Sequence, residues 1–173
     1  MNQVPHILRK ATKHDALLLH KIGTESYLHH FATLWNSQNE LNTYLNQEYS
    51  TTKITEDLNQ QHIDWYIIEN TSPIGLVKLT YHSCIPETNL VGTLLNKLYF
   101  SPGATGKGYG KTVFKFIEAL AKQQGDSLLW LDVLASNTRA MAFYQSNDMH
   151  ILKEMLFTSE TQQSLEYIMS KTL

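Results

Sequence analysis

Residues Ser127 to Ala135 read SLLWLDVLA, an almost uninterrupted apolar run of strand length, and this run follows a helical pattern that itself follows a glycine-dense loop. That order constrains the fold more than any other feature. Such a run suits a parallel strand covered on both faces, and a parallel neighbour demands a crossover connection. The preceding helix supplies it: Val113, Phe116 or Ile117, Leu120 and Gln124 mark one face, Lys111, Lys115, Glu118 and Lys122 the other, and Gly125 ends it. Before the loop, Gly92 to Phe100 (GTLLNKLYF) reads as a strand. The middle of the chain is therefore a β-α-β unit.

The flanks extend this sheet. Pro5 to Ala11 forms a short first strand, and Thr12 or Asp15 can cap a helix carrying Leu17, Leu18 and Ile22. From Glu25 to Gln61 the chain is mostly polar with apolar residues at helical spacing, which predicts short helices covering one sheet edge. His62–Glu69 and Ile74–His82, rich in β-branched and aromatic residues around the turn Asn70–Pro73, predict an antiparallel hairpin. Asn137 can cap a short helix with Ala140, Phe143 and Tyr144, and Ile151–Thr158 and Ser164–Ser170 form a closing hairpin around Ser159–Gln163. With no repeat or linker, residues 1–173 read as a single α/β (α+β) domain, a mixed sheet flanked by helices.

Composition narrows the partners. Fourteen Lys and Arg against sixteen Asp and Glu give a net charge of −2, which provides no polycationic surface for nucleic acid. The single Cys84 excludes an intrachain disulfide framework and any thiolate-rich metal site, so no metal is expected, and it fits a reducing, cytoplasmic setting. No stretch of about 18 apolar residues occurs, so membrane spanning is not expected.

In Thr105-Gly-Lys-Gly-Tyr-Gly110, three alternating glycines stand directly before a helix, so several N–H groups can turn toward one point. A pyrophosphate suits that arrangement, with Lys107 and Lys111 adding positive charge. A tight surface loop with purely steric glycines is the plain alternative. A Walker loop fails on two counts, because Ser101 stands where its first glycine should be and Gly108 where Ser or Thr should follow the lysine. A dinucleotide fingerprint fails at Lys111, where its third glycine would be.

The loop resembles the signature of the GNAT superfamily of acyl-CoA-dependent N-acetyltransferases, Arg/Gln-x-x-Gly-x-Gly/Ala between a strand and a long helix, here Thr105-x-x-Gly108-x-Gly110. Past the helix, Asn137, Ala140, Phe143 and Tyr144 are similar to the family's Asn-x-x-Ala-x-x-Phe-Tyr segment. Two departures stand out. Thr105 lacks the phosphate-binding side chain usual there, and Asp148 replaces the glycine of the turn after the second helix, where Asn147 can adopt the left-handed conformation instead.

The resemblance implies acetyl-CoA as cofactor, held between two parallel strands that splay apart. Its pantetheine arm would lie on the backbone of Leu98, Tyr99 and Phe100, and its pyrophosphate on Thr105, Gly106, Lys107, Gly108, Tyr109, Gly110 and Lys111. It further implies direct attack by a substrate amine, a backbone N–H near Leu98 or Tyr99 polarising the carbonyl, Asn137 contacting the pantetheine and Tyr144 donating a proton to the departing thiolate. The base is open. Asn96 aligns with a position where many members carry Glu, and Glu25, His29, His30, His82 and Asp132, the lone acid in a buried-looking strand, remain as candidates.

The segment ESYLHHFATLWNSQNELNTYL is similar to the substrate side of bacterial spermidine/spermine N-acetyltransferases. That implies a small-molecule amine, a polyamine first, with Glu25, Tyr27, Trp35 and His82 as substrate contacts; a peptide or protein amine is a further possibility. A CoA-binding sensor without turnover is the rival from another class, and a nucleotide-binding protein a second. Exposed strand edges near the C-terminal hairpin make a homodimer reasonable.

Overall fold

A computed structural model describes residues 7–173. In chain order the elements are β1 (Leu8–Lys10), α1 (Ala16–Phe31), α2 (Gln38–Tyr49), α3 (Thr51–Asp57), β2 (Ile63–Asn70), β3 (Ser72–Cys84), β4 (Val91–Phe100), α4 (Tyr109–Gln123), β5 (Leu128–Leu134), α5 (Thr138–Gln145), β6 (His150–Thr158) and β7 (Gln163–Thr172). The strands form one sheet in the order β1-β2-β3-β4-β5-β7-β6. The pairing of β4 with β5 is parallel, and β1 with β2, β5 with β7 and β6 with β7 are antiparallel. This is the mixed sheet with a β-α-β crossover that the sequence predicts. Of the first predicted strand, Pro5 and His6 lie outside the described residues.

The chain divides into two compact units, the first comprising the described residues up to Leu79 with Lys97–Val113, the second Thr80–Asn96 with Phe114–Leu173. In the first unit, Leu19, Ile22 and Tyr27 of α1, Leu41 and Tyr49 of α2 and Ile54 of α3 pack with Trp65 and Ile67 of β2 and Leu76 of β3. Trp65 and Ile67 are two residues apart and share a face, so the helices cover a sheet face rather than the edge expected for them. Leu17, expected on the apolar side of α1, is exposed; the buried stripe is Ala16, Leu19, Ile22, Gly23, Ser26 and Tyr27, at spacings of three and four. The entry to α1 is fixed by the Asp15 carboxylate, which accepts from the Thr12 N–H at 2.8 Å and from Arg9 at 3.0 and 3.1 Å. The β2–β3 connection is tighter than the predicted turn, a single residue, Thr71, at φ 58°.

Two lysines lie out of water in this unit. Lys78 Nζ is 2.6 Å from Asp57 Oδ2, and Lys53 meets the other oxygen of Asp57 at 2.8 Å. Lys97 Nζ is 2.7 Å from Glu48 and 4.8 Å from the centroid of the Tyr49 ring. Buried cations need such partners.

In the second unit the register of β4 and β5 pairs Thr93 with Leu129 and Leu94 with Trp130, and both strands run on, to Phe100 and Leu134. The β5–β7 register is continuous from Leu128 with Thr172 to Leu134 with Glu166. Ile85, Trp130 and Ile168 form an apolar cluster against which Met155 packs. β5 is buried as predicted except at Asp132, whose side chain is exposed; an apolar run marks the strand and says nothing of its one polar position. After α5 it is Asp148, not Asn147, that takes the left-handed conformation, at φ 64°. Asn147 is buried instead and donates from Nδ2 to the Phe143 carbonyl at 2.8 Å.

Candidate functional site

The glycine loop lies in the first unit and opens directly into α4. Gly103, Gly106 and Gly108 have φ of 83°, 78° and 82°. These angles are easy for glycine and strained for other residues. A Cβ added at Gly108 would meet nothing within 4 Å, so the glycine serves the backbone course and leaves that surface open to a ligand. Gly110 stands in the first turn of α4, a fifteen-residue helix, where backbone N–H groups lack intrahelical acceptors. Lys107 and Lys111 are exposed on either side, and Tyr109 accepts at its hydroxyl from Asn70 Nδ2 at 2.6 Å. Amides at a helix N-terminus flanked by lysines fit a pyrophosphate. Thr105, half-buried, brings no charge to it.

The strand segment Leu98–Tyr99–Phe100 belongs to the same unit. Its last carbonyl, that of Phe100, has the Nε2 of His30 at 3.3 Å. A Cβ on Gly75 would run into the Tyr99 carbonyl oxygen, so β3 and this end of β4 approach closely. Around Tyr99 the rings gather: Tyr27 lies 4.7 Å from Tyr44, 4.9 Å from Phe31 and 6.4 Å from Tyr99 between centroids, Trp35 is 5.4 Å from Tyr44, and Trp35 Nε1 donates to the Tyr27 hydroxyl at 3.1 Å. Tyr27 and Trp35 are thus brought together. Glu25 stands exposed on α1, as do His29 and His30 at its end.

In the second unit Asn137 caps α5, its Oδ1 accepting from the Ala140 N–H at 3.1 Å, which leaves the Nδ2 donor for other partners. Tyr144, two turns on, packs against Phe143 and Phe114 at 5.4 and 6.2 Å. Burial, and then the negative charge of Asp132, push its phenol above the ordinary tyrosine value, so it stays protonated. His82 is exposed and tied to Asp126. Its N–H and its Nδ1 lie 3.0 and 2.8 Å from the two oxygens of Asp126, and Thr93 donates to the same carboxylate at 2.6 Å. Burial raises the Asp126 pKa, but these donors outweigh it and hold the carboxyl below its usual range. Asn96 accepts from the Thr80 hydroxyl at 2.7 Å. Among the described residues no group of three or more His, Cys, Asp or Glu could hold a metal ion, and no helix is long and apolar enough to cross a membrane.

On β7, burial and then the negative charge of Asp132 push the carboxyl of half-buried Glu166 up to about 7; in the sequence it is one acid among the alternating positions of a strand. Asp126 was equally inconspicuous, one residue after the glycine that ends α4.

A strand, a left-handed glycine loop, a long helix, a parallel strand and an asparagine-capped helix bearing Tyr144 define the fold of the acetyl-CoA-dependent N-acetyltransferases. Residues 28–149 match the model of the Acetyltransferase (GNAT) family, and the chain belongs to that family. It is similar to an uncharacterized N-acetyltransferase in the pepI 3' region of Lactobacillus delbrueckii subsp. lactis, 26% identical over 87 residues, half of each chain. The chain thus spans about half the length of that curated relative. Its fold is similar to that of the PaiA N-acetyltransferase from Thermoplasma acidophilum in complex with coenzyme A, with TM-score 0.73 and 22% identity over 96% of this chain and 98% of the other. A ribosomal-protein-alanine N-acetyltransferase from Brucella melitensis has TM-score 0.68 and 17% identity over 96% and 99%. The spermidine/spermine N-acetyltransferase SpeG from Vibrio cholerae has TM-score 0.63 and 17% identity over 95% and 91%. Proteins named for such different acceptors share one fold, so the fold alone does not choose the acceptor.

Proposed function

We propose that the chain transfers an acetyl group from acetyl-CoA to the primary amine of a small molecule, with a polyamine as the leading acceptor. The observation that carries the reading is the pair of left-handed glycines, Gly106 and Gly108, on either side of Lys107 just before α4, with Lys111 in the helix's first turn. When bound, acetyl-CoA supplies an activated acyl group. Gly106 to Gly110 offer backbone donors to the diphosphate, with Thr105, Lys107, Tyr109 and Lys111 around them. Leu98, Tyr99 and Phe100 offer strand backbone to the pantetheine, and Asn137 a side-chain amide. Tyr144 holds a proton that it can give to a leaving thiolate, because its phenol is kept neutral.

The acceptor reading rests on the rings. Trp35 and Tyr44, each half-buried, lie beside the buried Tyr27, and ammonium groups are attracted to aromatic faces by about 0.5–2 kcal/mol each. Glu25, exposed on α1, can meet a remote ammonium. Cys84, free and exposed, suits the cytoplasm. A second copy would pair along β6, the last strand in the sheet order, where Ile151, Leu152 and Leu156 are exposed.

An acceptor-amine screen followed by thiol release tests the reading, repeated with Tyr144→Phe. We expect turnover with spermidine or a related amine, and a loss of about 10²-fold or more in the variant with coenzyme affinity nearly unchanged. A second reading, a CoA-binding module without turnover, draws on Asn96, whose amide cannot accept a proton and is engaged with Thr80. Acetyl-CoA binding without thiol release for any amine between pH 7 and 9 would establish it.

A further inference from the structure

Acetyl transfer leaves one proton to be placed. An alkyl ammonium, with a pKa of about 10.4, must lose it before its nitrogen can attack, and Asn96 offers only an amide. In the first unit the end of α1 docks on the end of β4 through adjacent residues. The Phe31 ring lies 5.7 Å from that of Tyr99, and Nε2 of His30 stands 3.3 Å from the Phe100 carbonyl oxygen. The Tyr99 carbonyl faces Gly75 of β3, and the Ser101 N–H donates to the Ile74 carbonyl of β3 at 2.8 Å. Successive residues of a strand turn their backbone groups to opposite edges, so the Phe100 carbonyl between them points away from β3. Leu98 shares that edge, two residues back and about 7 Å along the strand. His30 thus stands at the stretch of β4 that the acetyl-transfer reading gives to the pantetheine arm, beside the paired rings of Tyr27 and Phe31.

We propose that His30 takes the proton from the substrate ammonium, directly or through one water. A carbonyl oxygen only accepts, so Nε2 carries the ring hydrogen, and the neutral imidazole keeps its lone pair on Nδ1. An N–H bond of the ammonium breaks, its electron pair stays on nitrogen, and an N–H bond forms at Nδ1. The imidazolium, exposed to water, then passes the proton to solvent. The contact of Phe31 with Tyr99 keeps the imidazole at the strand end when a ligand competes for the carbonyl. The titratable groups around it are His29, its ring 4.9 Å away and edge-on, and, about Phe31, the phenols of Tyr27 and Tyr99. Other proton acceptors are engaged elsewhere: Glu48 holds Lys97, and His82 is tied to Asp126. The assignment rests on the acetyl-transfer reading above.

Two measurements test it. Nitrogen-15 NMR of the histidine rings, in the protein without ligand, should show one imidazole that is absent in His30→Gln and whose neutral form carries its hydrogen on Nε2. The pH profile of kcat/KM, which reports the free enzyme, should have an ascending limb whose midpoint equals the one that NMR finds for that ring. Glutamine keeps a donor for the Phe100 carbonyl but cannot take a proton. His30→Gln should therefore lose the limb and about 10²-fold in rate, while acetyl-CoA affinity and the unfolding curve stay close to wild type. A His30→Gln enzyme that keeps both limb and rate overturns the assignment, as does a limb lost in His29→Gln instead, or a neutral His30 ring with its hydrogen on Nδ1. A wild type that binds acetyl-CoA but releases no thiol with any amine overturns the transfer reading and the catalytic role with it. The NMR tautomer is independent of turnover and keeps the two failures apart.

Discussion

Lys78 and Asp57 form an ion pair at 2.6 Å with both side chains at 7% exposure or less, beneath the helices of the first unit. Asp57 also accepts from Trp65 Nε1 at 3.2 Å and from Lys53 at 2.8 Å, so one carboxylate balances two cations and an indole. Removing the charge from such a pair strands the partner. Asp57→Asn should therefore destabilise the fold by about 3–5 kcal/mol, and Asp57→Asn/Lys78→Met should recover much of that loss. Urea unfolding of the four proteins of this double-mutant cycle checks it.

The same carboxylate makes stability depend on acid. Burial raises the Asp57 pKa, but Lys53 and Lys78 together outweigh it and hold the carboxyl below its usual value. A pKa lower in the folded than in the unfolded state means that the stabilisation is fully present above the unfolded value, about 3.9, and is lost as pH falls through the folded value. Unfolding free energy should thus decline below about pH 4. In Asp57→Asn that decline should be shallower.

Gly108 has φ of 82° with open space where a Cβ would go. Gly108→Ala should cost about 1–2 kcal/mol of stability through backbone strain alone. If the amides of this loop hold the diphosphate, coenzyme A affinity should fall by more than the fold does. Calorimetric titration beside thermal unfolding separates the two effects.

Asn137→Ala removes the cap on α5 and should lower stability by about 1 kcal/mol, whereas Asn137→Asp keeps the cap acceptor and should not. The Asp variant removes the Nδ2 donor, so it should weaken coenzyme binding while its unfolding curve stays close to wild type.

Gly23 faces the ring of Tyr49, and an added Cβ would run into that ring. Gly23→Ala should cost about 1–3 kcal/mol by overpacking, despite alanine's better helix propensity. Denaturant midpoints decide the sign.

What was legible in the chain was local. The alternating glycines before Lys111, the Asn137 cap and the apolar run of β5 are each written within a few residues, and the structure places all three as the pattern implies. What was illegible depends on distant partners. Lys97 meets Glu48, 49 residues away, and His82 meets Asp126, 44 away, and no periodicity carries that information. Glu166 shows the same limit. It reads as an ordinary strand acid until the register puts Asp132 beside it. Leu17 fails for a simpler reason: neighbouring leucines in a helix cannot all face inward, and the winning stripe is set by the sheet below.

The imidazole of His30 at the Phe100 carbonyl makes the last acceptor of β4 a contested one. A ligand arriving there would swap partners rather than add a bond, and a swap returns little free energy. Affinity at that end of the strand would then come from fit and from the rings nearby, and an exchange of guests would announce itself in the ring protons of a single histidine.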